Sequence, residues 1–97
     1  MITIIRYDKG ISLKGHANYA ERGKDIVCAG ISTLVQSLIQ SIEELTTDTI
    51  QYSMSPGTVD IKHGNLSEQA QLLMDSFFVG VKLIADEYPE NVRVTKH

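Results

Sequence analysis

The stretch GHANYAERGKDIVCAGIS, residues 15–32, decides how this chain folds. It joins a predicted strand that ends near His16 to a predicted helix whose first turn holds Cys28, the only cysteine in the sequence. Residues 17–24 follow neither a helical nor a strand period, and their polar side chains indicate a loop. A fold with this connection is able to bring an imidazole and a thiol together, which predicts a Cys/His active site.

A helix start and a long helix follow the loop. Asp25 is the predicted N-cap, because its carboxylate can accept the main-chain N–H of the residue two or three positions on. The helix is expected to run from Ile26 to about Leu45, with a wide apolar stripe that must pack against a sheet or another helix. That stripe contains Val27, Ile31, Leu34, Val35, Leu38, Ile39, Ile42 and Leu45.

Strands are predicted on both sides of this unit. Residues 2–7 are apolar and β-branched, residues 8–10 supply a turn, and residues 11–14 alternate apolar and polar, which indicates an opening hairpin. The second half of the chain repeats this order. Its elements are strands at 50–54 and 59–63 around a turn at 55–57, a helix from an N-cap at Ser67 through Glu68 to about Glu87, a stop at Pro89 and a short strand at 92–94.

The element order is therefore ββαββαβ. Hairpins with two long amphipathic helices predict an α+β fold, in which a mostly antiparallel sheet carries both helices packed on one face. The 97 residues are enough for one small domain, residues 1–97, and not for two. A domain of this size buries a limited share of its surface, so association into an oligomer would help its stability.

Composition excludes several classes of function. The net charge of −3 argues against direct nucleic-acid binding, which favours a basic stripe. No apolar run is expected to reach the roughly 20 residues that cross a bilayer, and the first residues lack the basic start of a signal peptide. One cysteine forms no internal disulfide, which favours a reducing compartment and a cytoplasmic location.

The predicted helix start makes Cys28 a candidate nucleophile. As the third helical residue, Cys28 lies where the helix dipole favours an anion, and such positions lower a thiol pKa from about 8.5 toward ~3.5–7.5. Ser32, one turn on, faces the same way. The N–H groups of Cys28 and Ala29 are expected to face a developing oxyanion. His16 then acts as general base if the loop folds back.

Each of these residues also has an ordinary structural explanation. A lone cysteine near a helix start is more often a small buried apolar side chain than a nucleophile. A lone histidine is usually structural, Asp25 is a cap with or without catalysis, and Gly15 and Gly23 are turn formers. Their conjunction favours the active site. A metal site is not expected, because Cys28 and the three histidines lack the paired spacing of zinc ligands, and no cofactor is predicted.

The same stretch resembles the signature of a known family, the ribosomal-processing cysteine proteases called Prp. The matching residues are Gly15-His16-Ala17 and Gly23-x-Asp25-Ile26-Val27-Cys28-Ala29-Gly30-x-Ser32. The resemblance covers essentially the full chain in length and element order. It implies that Cys28 is the nucleophile and His16 its base, that Asp25 supports the pair or fixes the helix start, and that Ser32 lines the site.

The resemblance also implies a substrate, a location and an assembly. Members of the family are cytoplasmic, homodimeric endopeptidases of Firmicutes-type bacteria. They remove a short N-terminal segment from a large-subunit ribosomal protein, after two phenylalanines. Two phenylalanine side chains require an apolar groove, and we expect its walls in the 17–24 loop, with Tyr19 and Gly23, and near the helix start. That loop is expected to fold over bound peptide.

Three alternatives remain open at this point. The chain is alternatively a non-catalytic ribosome-assembly or peptide-binding module, a protein with a redox-sensitive thiol, or a structural dimer without a site. The absence of a resolving cysteine weakens the redox alternative.

Overall fold

Five strands form one sheet, and two helices cover one of its faces. The structure is a computed structural model that describes all residues, 1–97, and the predicted order ββαββαβ is confirmed. The elements are β1 Ile2–Tyr7, β2 Gly10–Lys14, α1 Ile26–Leu45, β3 Ile50–Ser55, β4 Thr58–His63, α2 Glu68–Glu87 and β5 Val92–Lys96.

The strand order is β3-β4-β2-β1-β5, and the sheet is mixed. The β1–β2, β2–β4 and β3–β4 pairs are antiparallel, as the hairpin signals predict. The last strand departs from that pattern, because β5 pairs with β1 in parallel, from Ile2 opposite Val92 onward. A parallel neighbour requires a crossover, and here α2 supplies it.

The element boundaries follow the local signals closely. Both helices begin after the predicted N-caps, with Asp25 bonded to the Cys28 N–H and Ser67 bonded to the Ala70 N–H. Each hairpin turn is one residue shorter than predicted, because Gly10 pairs with Tyr7 and Ser55 with Thr58. Two-residue connections of this kind bring the strand ends close together.

The apolar face of the sheet carries the core. Ile4, Leu13, Val59 and Met54 lie opposite one another across four strands, and the first three are buried under the helices. The edge strand β3 is different, because Met54 remains 46% exposed and its neighbour on the same face, Tyr52, remains 49% exposed. The inner face of β3 therefore borders an opening beside α1.

Two glycines let the helices approach closely. A Cβ at Gly80 of α2 would lie 3.1 Å from the Leu34 side chain of α1, and a Cβ at Gly30 of α1 would lie 3.2 Å from the Ile84 side chain of α2. Leu34 of α1 thus packs on Gly80 of α2, and Ile84 of α2 packs on Gly30 of α1. Gly30 belongs to the deciding stretch, and its role is helix packing.

The expectation that no segment is long and apolar enough to cross a bilayer needs correction for α1. By length and composition alone, α1 meets that criterion. In the fold, its stripe of Val27, Ile31, Val35, Leu38, Ile39 and Ile42 is buried in the core. The helix is apolar because it packs against both the sheet and α2.

Gly80→Val tests the close approach of the helices. The added side chain must displace Leu34, so we expect the free energy of unfolding in urea to fall by about 1–3 kcal/mol. Ser76→Val introduces the same residue at an exposed position of α2 and serves as the control. Equal losses in the two variants would contradict the packing described above.

Candidate active site

A cleft of about 760 Å³ opens between the start of α1, the loop after β2 and the β3–β4 turn. The loop before Asp25 forms one wall, and the inner face of the sheet forms the floor. Its lining includes most of the predicted site residues: Gly15, His16, Gly23, Asp25, Cys28, Ala29 and Ser32. One cleft therefore gathers residues from the strand end, the loop and the helix.

The Asp25 carboxylate joins the loop to the helix. Its Oδ1 accepts the Cys28 N–H at 2.9 Å, while Oδ2 accepts the N–H of Tyr19 at 2.9 Å and that of Ala20 at 3.3 Å. These main-chain donors, Cys28 first, hold the pKa of Asp25 below its ordinary value. Asp25 is thus both the predicted N-cap and an anchor for the loop.

The Cys28 thiol is half-buried and receives one hydrogen bond. The main-chain N–H of Ala17 donates to Sγ at a distance of 3.4 Å, and Ala17 itself is only 1% exposed. The predicted oxyanion donors are engaged elsewhere, since the Cys28 N–H binds Asp25 Oδ1 and the Ala29 N–H binds the Asp25 carbonyl at 3.0 Å. The expectation that these two groups face an oxyanion is therefore wrong for this geometry.

The imidazole of His16 rests on the β3–β4 turn. A Cβ at Gly57 would lie 2.8 Å from His16 Nε2, and Gly57 has a φ of +75°, so glycine is required there for both reasons. The Gly57 carbonyl accepts the Gly15 N–H at 2.8 Å, which holds the strand end beside the turn. His16 is exposed and shares the cleft with Cys28, but no hydrogen bond joins the two side chains.

Tyr19 lies apart from the other predicted substrate residues. Its ring packs edge-on against Tyr88 at the end of α2, with centroids 5.2 Å apart and an interplanar angle of 76°. It is not among the residues that line the cleft. The side chain projects toward α2, and the loop reaches the cleft through residues such as Asn18, Ala20 and Arg22.

Two residues beside the site were not found from the sequence. Gly57 carried only a turn signal, yet it supports His16. Asn91, between α2 and β5, donates from Nδ2 to the Ala17 carbonyl at 2.9 Å. No local pattern predicts a contact between residues so far apart in the chain.

Comparison with known proteins identifies the family. The family model for cysteine protease Prp matches residues 1–93. The chain belongs to the Prp family of cysteine proteases. It is 33% identical over 87 residues to the ribosomal processing cysteine protease Prp of Staphylococcus aureus, with 87% of this chain and 82% of the relative covered. The Bacillus subtilis Prp is 31% identical over 102 aligned positions, covering 92% and 88%.

The fold agrees with solved Prp structures. The essential Prp of S. aureus in complex with a covalently linked product peptide superimposes with a TM-score of 0.95 at 29% identity, and covers both chains fully. Its complex with a substrate peptide gives a TM-score of 0.88 at 28% identity, again covering 100% of both chains.

The family resemblance read from residues 15–32 is therefore confirmed, and the protein is a cysteine protease. Membership in a family of proteases does not fit the alternatives of a non-catalytic module or a structural dimer. No group of three or more His, Cys, Asp or Glu side chains is arranged to hold a metal ion.

Asp25→Asn tests the anchor of the loop. An amide replaces one of the two acceptor oxygens, so we expect hydrogen exchange at the Tyr19 and Ala20 amides to accelerate about tenfold or more. The control is Asp48→Asn, which changes a carboxylate that accepts the Ser67 N–H before α2, and it should leave those amides unchanged. Unchanged exchange in Asp25→Asn would contradict the anchor.

The anchor also has a pH dependence with a defined sign. Because folding lowers the pKa of Asp25 from 3.8, its stabilisation is fully present above that pH and is lost as the pH falls through the lowered value. The same two amides should therefore exchange faster, after correction for intrinsic rates, only in this acid range. Equal protection across the range would contradict this prediction.

Proposed function

We propose that this protein is an endopeptidase that removes the N-terminal segment of a large-subunit ribosomal protein, with Cys28 as nucleophile and His16 as general base. The observation that carries the proposal is the shared cleft, which is lined both by a thiol with a main-chain N–H donor and by an exposed imidazole. The relatives are named for ribosomal processing, and the resemblance in residues 15–32 supplies the substrate class.

The proposed reaction begins with transfer of the Cys28 thiol proton to His16. The imidazole packs against Gly57 without a hydrogen bond, and the proposed transfer requires its side chain to rotate toward Sγ. The thiolate attacks the carbonyl carbon, and the carbonyl π electrons move to oxygen. Collapse of this intermediate expels the amine, which takes the proton from His16. Water, deprotonated by His16, then hydrolyses the thioester.

The floor of the cleft suits an apolar segment. Its apolar side chains come from the sheet and from one face of α1: Ile2, Leu13, Ile31, Val35, Met54 and Val59. Met54 is the most exposed of these and lies at the open edge of the sheet. Phenylalanine side chains before the scissile bond bury large areas on such a surface, and Ser32 and Gly23 border the same space.

Location and assembly are part of the proposal. The single cysteine supports a cytoplasmic location, and the net charge of −3 supports function without direct nucleic-acid contact. A homodimer is supported by exposed apolar side chains on one face of α2, where Leu72, Val79 and Leu83 are 70%, 63% and 66% exposed.

Variants of the two reacting residues test the proposed chemistry. Cys28→Ala should abolish cleavage of a peptide with the Phe-Phe extension, and His16→Ala should lower kcat by about 100-fold or more. The readout is the new N-terminus in mass spectrometry. His63→Ala is the control histidine, because His63 lies outside the cleft and binds the Gly64 carbonyl. Normal turnover by either test variant would overturn the assignment.

Met54→Ser tests the apolar floor. Loss of the side chain removes contact area from the substrate, so we expect KM to rise about tenfold with a smaller change in kcat. Leu45→Ser makes a similar change at an exposed apolar residue at the end of α1, outside the cleft. An equal KM for both variants would mean that the phenylalanine side chains of the substrate do not contact Met54.

A further inference from the structure

We infer that the main-chain N–H of Ala17 binds the oxyanion formed during cleavage, and that Asn91 is a positioning residue for this donor. The inference rests on the proposed function. It assigns a catalytic role to a loop peptide group and a supporting role to a residue outside the Gly15–Ser32 motif.

The start of α1 offers no free donor at the positions expected from the sequence. Asp25 accepts the Cys28 N–H through its side chain and the Ala29 N–H through its carbonyl. An N–H that is committed to a carboxylate has to break that bond before it can serve an oxyanion. Stabilisation of a transition state requires donors that are already oriented, so another group must supply this interaction.

Ala17 has the required placement. Its N–H points at Sγ from 3.4 Å, and its burial keeps water from competing for the hydrogen bond. When Sγ bonds to the scissile carbonyl carbon, the charged oxygen lies only two bonds from the sulfur. A donor that faces the thiol in the free enzyme therefore faces this oxygen once the negative charge moves from sulfur to oxygen.

Asn91 fixes Ala17 from the opposite side. Its Nδ2 donates to the Ala17 carbonyl at 2.9 Å. Its own main chain is held in turn, because its N–H donates to the Tyr88 carbonyl and its carbonyl accepts the Ile2 N–H, both at 2.9 Å. The next residue, Asn18, has a φ of +55°, and the chain turns there into the loop. Asn91 thus anchors the first residue of the loop, and with it the direction of the Ala17 N–H.

An amide-to-ester change at Ala17 tests the donor directly. Residues 1–27, with lactic acid in place of Ala17, can be joined by chemical ligation at Cys28 to residues 28–97. We expect kcat for the Phe-Phe peptide to fall by about 10²–10³, with little change in KM. The control is an ester at Lys9, whose N–H lies in a turn and donates no hydrogen bond.

Alkylation of Cys28 by iodoacetamide distinguishes an effect of the N–H on the oxyanion from an effect on the thiol, because alkylation forms no oxyanion. The alkylation rate should fall far less than kcat in the Ala17 ester. A parallel fall would mean that the N–H acts only on sulfur, and an unchanged kcat would remove Ala17 from catalysis; either result overturns the inference. Failure of the ligated enzyme with an unaltered backbone to cleave would instead count against the proposed function.

Asn91→Asp tests the positioning role. The variant keeps the size of the side chain but replaces the donor with an oxygen beside the Ala17 carbonyl. We expect kcat to fall about tenfold or more, with KM and the alkylation rate within about threefold. Asn65→Asp is the control, since its side-chain oxygen binds Lys9 on the surface. Asn91→Ala serves as a second variant if Asn91→Asp unfolds. A full kcat in a folded Asn91 variant, or KM and alkylation changes that match the kcat loss, would overturn the positioning role.

Discussion

One carboxylate determines the arrangement of the site. Asp25 accepts main-chain N–H groups from the helix start on one oxygen and from the loop on the other. The first N–H groups of a helix are normally free to bind an anion. Here the anion is the Asp25 carboxylate, which also binds the loop. The thiol of Cys28 consequently meets a donor from the loop base, Ala17, and not one from its own helix.

The rest of the fold holds this arrangement in place from a distance. Gly30 and Gly80 bring α2 close to α1, and the chain after α2 carries Asn91 to the Ala17 carbonyl. The β3–β4 turn contributes Gly57, on which His16 rests. The site therefore depends on segments that are distant in sequence, although His16 and Cys28 belong to a single stretch of eighteen residues, 15–32.

Much of this could be predicted from the sequence, because local signals were strong. Asp25 and Ser67 are N-caps with the expected hydrogen bonds. The spacing of apolar residues predicted both helices and both hairpins. The parallel pairing of β5 was not predicted, since nothing within residues 92–96 specifies a partner strand. The hydrogen bonds of the Cys28 and Ala29 N–H groups were not predicted for a related reason: a helix period shows where an N–H lies, but not that Asp25 already accepts its hydrogen bond.

An amide titration measures the central contact, from the Ala17 N–H to the thiol, most directly. In proton–nitrogen spectra of the wild type and of Cys28→Ser, we expect the Ala17 amide proton to shift strongly downfield as the thiol ionises, and only when the thiol is present. The Cys28 and Ala29 amides, which are bonded to Asp25, should respond much less. A large shift of the Cys28 and Ala29 amide protons without a shift at Ala17 would contradict this arrangement. It would mean that the N–H groups of the helix start bind the thiolate.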